Sequence, residues 1–206
     1  MGLYLLTVKK EPRIKVLFIY FMLGFILVMR ILTVRGGNNF YYNMLYVINS
    51  IGWGIYFYSL LETKLKKALA VCVVSATILY FFSNFFLASE KIFDSLGYVI
   101  SSTGTVLLIF IYFHQLLSNI KTDPLSINFD FWLSCSQLIY NLGAFGIFLT
   151  FNYFTSKILN TKDYNQENRQ ILASLWGVHN VLLFLASLLV CVGLFWIVYR
   201  KKSKTY

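Results

Sequence analysis

Charged residues make up 13% of this 206-residue chain, roughly half the share of a soluble domain. Disorder, collagen-like repeats, coiled coils and nucleic-acid-binding domains all need a polar surface or a composition bias that is absent here. Acid is scarcer still. The eight carboxylates are Glu11, Glu62, Glu90, Asp94, Asp123, Asp130, Asp163 and Glu167, and every one falls in a tail, a separator or the end of an apolar run. Proton- or sodium-coupled carriers place a carboxylate near the bilayer midplane, so coupled transport is disfavoured. Cysteine is limited to Cys72, Cys135 and Cys191. They lie inside apolar runs with no pairing or ligand spacing and read as small packing residues.

What is abundant is hydrophobicity, 58% of residues with a mean hydropathy of +0.67. A helix crossing the hydrocarbon core needs about 20 mostly apolar residues. Six such runs occur, at about 14–34, 41–61, 68–88, 95–117, 131–154 and 171–199. They are continuous, where a β-barrel would alternate over about ten residues. The expected fold class is therefore all-α: a polytopic membrane protein, a single domain of six transmembrane helices with no soluble domain. The first run follows a basic stretch but is too long for a cleaved signal peptide and lacks a small-residue cleavage site, so it is read as a permanent anchor.

Orientation follows from counting Lys and Arg on each side. With the N-terminus inside, one side holds Lys9, Lys10, Arg13, Lys15, Lys64, Lys66, Lys67, Lys121, Arg200, Lys201, Lys202 and Lys204. The other holds Arg35, Lys91, Lys157, Lys162 and Arg169, with Arg30 inside the first span near its outer end. Both termini are expected to be cytoplasmic. The net charge of +10 is then mostly an insertion signal, with a residual attraction of the tail and second loop to anionic headgroups.

Polar residues inside spans must meet another helix or a cavity. In the fifth run Ser134, Gln137, Asn141, Ala144, Phe148 and Asn152 recur at helical spacing, with Tyr140 and Gly143 beside them. The sixth carries Trp176, Gly177, His179, Asn180, Ser187 and Cys191, of which 177, 180, 187 and 191 share a face. Gly97, Ser101, Thr105, Tyr112 and Gln115 align in the fourth, and Tyr42, Asn49, Gly52, Tyr56 and Ser59 in the second. The first and third are plainer and are expected at the lipid-facing periphery. Two readings are open: interhelical hydrogen bonds at about 1 kcal/mol each, or a shared uncharged cavity for a small polar or amphipathic ligand. On the second reading the candidate ligand-binding residues are Asn49, Gln115, Gln137, Tyr140, Asn141, Trp176, His179 and Asn180.

No metal site is expected, because His114 and His179 fall towards opposite membrane faces and neither lies in a zinc-binding spacing. No cofactor and no catalytic residue are expected either. Paired intramembrane aspartates, a nucleophile elbow, a Walker loop and a dinucleotide fingerprint are all missing from the sequence, so the chain is not read as an enzyme. Gly36-Gly37 is a turn, not a channel filter.

Asp130-Phe131-Trp132, followed by Tyr140, Gly143, Phe148 and Asn152, then Leu175-Trp176, His179-Asn180 and Gly193, resemble the closing helices of a family of small multi-pass bacterial membrane proteins often found near two-component signalling genes. Tyr42-Asn43 with Tyr46 is similar to that family's second helix. The chain departs from the pattern at Asn49, where the family tends to carry Glu, and at Ser136, which replaces a glycine. The resemblance implies a sensory or accessory module of the bacterial cytoplasmic (inner) membrane and supplies no catalytic residue. Expected partners are the lipid bilayer and a cytoplasmic or membrane signalling protein, met through the 118–130 loop with Asp123-Pro124 and the Arg200–Lys204 tail. The alternative is a substrate-binding or accessory component of a membrane transporter.

Overall fold

Six helices form where the six apolar runs stand, in a computed structural model that describes residues 12–33, 39–87, 94–118, 128–161 and 166–203. They are α1 (Pro12–Thr33), α2 (Asn39–Leu60), α3 (Lys64–Leu87), α4 (Ser95–Ser118), α5 (Phe129–Thr161) and α6 (Gln166–Ser203). Gly36-Gly37, Glu90, Lys91, Lys121, Asp123-Pro124, Lys162, Asp163 and Lys204 lie outside the described residues. The α5 and α6 helices run past the apolar windows, to Thr161 and back to Gln166. The intervening residues are polar but include no glycine or proline to stop a helix.

Three helix starts are set by side-chain caps that satisfy otherwise orphaned backbone donors. Thr63 Oγ1 accepts from the backbone of Lys66 at 3.3 Å, opening α3. Asp94 Oδ1 accepts from Gly97 N at 3.0 Å, opening α4. Asn128 Oδ1 accepts from Asp130 N at 2.9 Å and from Phe131 N at 3.3 Å, opening α5. Pro12 begins α1, where its missing N–H costs nothing.

Among the described residues α3, α4, α5 and α6 are long and apolar enough to cross a membrane. In α2 the apolar character is diluted by five tyrosines and three asparagines. The chain divides into two compact units, Met1–Leu108 and Ile109–Tyr206, with the division inside α4.

In the first unit α2 is the central helix. Tyr46, Ser50, Trp53 and Phe57 recur at three and four residues and are almost fully buried. Glycines let its neighbours approach: the Tyr20 ring of α1 covers Gly52, and a Val74 methyl of α3 fills the place beside Gly54. The Ser50 hydroxyl donates to Thr77 Oγ1 at 3.1 Å, and the Thr77 hydroxyl in turn donates to Val73 O at 3.0 Å. Ile19, Phe21 and Phe25 on α1 and Val71, Leu79 and Phe86 on α3 are all more than half exposed.

In the second unit α5 and α6 pack along their length. Leu182 lies over Gly143, Trp132 lies over Gly193, and the Ser136 hydroxyl donates to Ala186 O at 2.8 Å. Phe113 of α4 meets Phe131 of α5 with ring centroids 5.8 Å apart.

Candidate functional site

Two polar constellations stand out, one in each unit, and their hydrogen-bond accounts differ. In the first unit the carboxylate of Asp94 gathers four donors. Oδ2 accepts from the Tyr46 phenol at 3.0 Å and from Asn84 Nδ2 at 2.9 Å. Oδ1 accepts from the Tyr80 phenol at 3.1 Å and from Gly97 N at 3.0 Å. The backbone N–H of Asp94 donates to Asn43 Oδ1 at 3.0 Å. An ionised carboxylate offers about four lone-pair sites, so the protein itself uses the full capacity. Chemically this is a clamp joining the start of α2, the end of α3 and the start of α4.

Sequence reasoning missed this cluster, because Asp94 stands at the edge of a separator and was read only as an extramembrane charge. The available signal was the run Asp94-Ser95-Leu96-Gly97 before an apolar stretch, the pattern of an N-cap. Its partners Tyr46, Tyr80 and Asn84 come from distant segments and leave no local trace.

The side-chain oxygen of Asn49 is doubly engaged in the first unit. It accepts from the Tyr20 phenol at 2.8 Å and from Trp53 Nε1 at 3.1 Å. The Asn49 carboxamide thus ties α1 to α2.

The second unit holds the rest of the predicted residues. His179 is buried, 8% exposed, and walled by three aromatic rings: Tyr140 at 5.5 Å, Phe148 at 5.4 Å and Trp176 at 5.5 Å between centroids. Phe148 and Phe151 also meet Trp176 edge-on, at 6.3 and 6.1 Å. Asn141 is completely buried. Its Nδ2 donates to Gln137 O at 2.8 Å and to Gln137 Oε1 at 3.3 Å, both within α5.

What remains is unpaired. Asn141 Oδ1, His179 Nδ1 and Ser134 Oγ are shut away from solvent and have no hydrogen-bond partner among the described residues. Leaving a buried polar atom unsatisfied costs about 1–3 kcal/mol, and a bilayer offers no water to compensate. This is the opposite of the Asp94 account, where every acceptor site is taken.

The structure therefore brings Tyr140, Trp176 and His179 together and pairs Gln137 with Asn141 on the adjoining face of α5. Gln115 is buried near the end of α4, as are Gly97, Ser101, Thr105 and Tyr112, the other residues of its stripe. His114 is exposed. Asn180 is exposed too, although its neighbour His179 is buried. The stripe of 177, 180, 187 and 191, expected to meet protein, faces outward from the single chain. Ser59 and Asn152 are likewise exposed ends of otherwise buried stripes. Cys72 and Cys191 are exposed and Cys135 half-buried, all three as free thiols.

Comparison with protein families, with curated proteins and with solved structures finds no match. The functional reading therefore rests on the chain's own chemistry.

Proposed function

We propose that this chain is an integral protein of the bacterial cytoplasmic membrane. In this reading its six helices span the bilayer with both termini inside, and it serves as a non-enzymatic sensory or accessory module. The α5–α6 pair would receive a small polar or amphipathic ligand through Asn141 and His179. The observations that carry this reading are the buried, unsatisfied atoms Asn141 Oδ1 and His179 Nδ1 and the aromatic wall around His179, whose outermost member, Trp176, is 37% exposed.

An orphaned carboxamide oxygen asks for a donor, and an imidazole nitrogen can accept or donate. A hydroxyl, amide or amine on a ligand with an apolar body satisfies both the polar atoms and the rings of Tyr140, Phe148 and Trp176. Both atoms are closed off in the present arrangement, so entry requires α5 to separate from its neighbours. That movement is the means by which occupancy would be passed to a signalling partner.

A transport component is the second reading, and depth favours it. Asn141 sits next to Leu142, the middle residue of the membrane-competent stretch Phe129–Thr155, and transporters bind substrate near the midplane.

Purification in mild detergent followed by native mass spectrometry tests the ligand reading. A bound small molecule or lipid is expected on the chain and is expected to be lost in Asn141→Ala and His179→Ala. Failure to retain any molecule, together with an unchanged phenotype of both variants in the host, would reduce these residues to packing. Single cysteines at Asn38 and Lys64 test the topology, with labelling expected outside and inside respectively. An adjacent histidine kinase gene would favour signalling, and adjacent ATPase and coupling subunits would favour transport.

A further inference from the structure

We infer that the ligand received between α5 and α6 is an uncharged phenol: an aromatic ring on an apolar body, with a hydroxyl that donates to Asn141 Oδ1. The inference rests on the proposed ligand reading and names the class of molecule that reading leaves open.

The amide of Asn141 fixes the direction of the hydrogen bond. Its Nδ2 donates to two oxygens of Gln137, the backbone O at 2.8 Å and Oε1 at 3.3 Å. A backbone carbonyl can only accept, so the reversed amide would set Oδ1 against it. The orientation is therefore pinned, and Oδ1 is the atom left over, buried and unpaired. A carboxamide oxygen only accepts, so the ligand has to supply the hydrogen. His179 Nδ1, also unpaired, can give or take and leaves that requirement unchanged. An ether or ketone without an O–H or N–H would leave Oδ1 as it is.

Charge narrows the donor. From Phe131 to Thr155 and from Ile171 to Tyr199 the two helices carry no Asp, Glu, Lys or Arg. An ammonium group could donate to Oδ1, but it would find no carboxylate on either stretch to offset the loss of its hydration. A carboxylate or phosphate would set acceptors against an acceptor. A hydroxyl supplies the hydrogen and stays neutral.

The aromatic wall selects the body that carries the hydroxyl. Tyr140 and Phe148 of α5 lie 5.5 and 5.4 Å from the His179 ring of α6, and Phe148 and Phe151 of α5 meet Trp176 of α6 edge-on. Parting the two helices to admit a ligand breaks these contacts, because each of them crosses the pair. Ring-on-ring contacts contribute beyond the area they bury, and an aliphatic body cannot replace them. A ligand ring can. An aromatic hydroxyl is also a stronger donor than an aliphatic one, since the ring draws charge from its oxygen.

Native mass spectrometry of the full chain in mild detergent at neutral pH tests the class with 4-hexylphenol and four relatives. 4-Hexylanisole lacks the donor, 4-hexylcyclohexanol lacks the aromatic ring, and 4-hexylbenzylamine and 4-hexylbenzoate carry charge. One 4-hexylphenol is expected per 23.9 kDa chain. Each relative should bind about tenfold more weakly or worse. Asn141→Leu should bind 4-hexylphenol no better than 4-hexylanisole, and Phe148→Leu should bind it no better than 4-hexylcyclohexanol. Both comparisons are ratios taken on one protein, so they do not depend on the yield of folded variant.

The phenol class is overturned if 4-hexylanisole, 4-hexylcyclohexanol or either charged relative binds as tightly as 4-hexylphenol, or if Asn141→Leu keeps the preference for the phenol over the ether. Those outcomes leave the ligand reading standing whenever a host molecule is still retained and lost in Asn141→Ala and His179→Ala. Failure of the reading itself looks different: none of the probes binds one to a chain, no host molecule is retained, and the phenotype of both alanine variants is unchanged, which overturns the class together with the site.

Discussion

The phenol of Tyr46, in the first half of α2, donates to Asp94 Oδ2 across 3.0 Å, joining residues 48 positions apart. Tyr46 is fully buried, and its ring also stands edge-on to Phe81 and Tyr98 at 6.1 and 5.4 Å. The hydroxyl would be orphaned without the carboxylate. The carboxylate in turn needs such donors, because a charge at the edge of an apolar unit must be paired or hydrogen-bonded.

Asp94→Ala removes the acceptor for Tyr46, Tyr80, Asn84 and Gly97 at once. With a cap worth about 1 kcal/mol and the one fully buried donor, Tyr46, orphaned at about 1–3 kcal/mol, a loss of about 2–4 kcal/mol is expected. Asp94→Asn, which keeps the cap oxygen but replaces an acceptor with a donor, should fall between the two. Denaturant titration in micelles followed by tryptophan fluorescence reads the order; equal midpoints for all three proteins would mean that the clamp is decorative.

Gly97→Ala should cost about 1–3 kcal/mol through overpacking, because the added methyl would run into the Tyr46 ring. Gly146→Ala is the control. Nothing lies within 4 Å of its Cβ position, so it should be neutral or gain up to about 1 kcal/mol from helix propensity. Thermal midpoints of the two variants should move in opposite directions or differ clearly.

Asn49→Leu leaves the Tyr20 phenol and the Trp53 indole N–H without their shared acceptor. A loss of about 1–3 kcal/mol is expected, and Tyr20→Phe, which removes one donor cleanly, should soften it. A double-mutant cycle between the two measures the coupling. Additive effects would show that the bond contributes nothing.

Asn141→Leu should behave differently from Asn49→Leu. It deletes an acceptor that nothing satisfies together with two bonds internal to α5, so stability should be unchanged or rise by about 1 kcal/mol. On the proposed function the same variant loses its ligand. A variant that is both less stable and still ligand-retaining would assign Asn141 to structure alone.

Much of the helical layout was legible in the residues. Each apolar run is long and continuous enough to mark a helix, and α1 to α6 fall on the six runs within a few residues except where polar turns extend α5 and α6. The buried stripe of Gly97, Ser101, Thr105, Tyr112 and Gln115 was legible for the same reason, since a face repeating every three to four residues is a property of one segment. Ser50 escaped notice because it lies just off the stripe drawn through Asn49 and Gly52. The Asp94 cluster escaped because a lone acid at a span edge looks the same whether solvent or three helices surround it.

By itself the sequence determined the local properties of this protein: six helical runs and the faces on which polar residues collect, all set by chemistry within a few residues of each position. Only the tertiary structure decided which of those faces are satisfied. It turned Asn49 inward to two donors, buried Asn141 and His179 with atoms unpaired, and faced Asn180 outward. Hydrogen-bond satisfaction depends on neighbours brought together by packing, and segments as distant as Tyr46 and Asp94 carry no mark of one another until they meet.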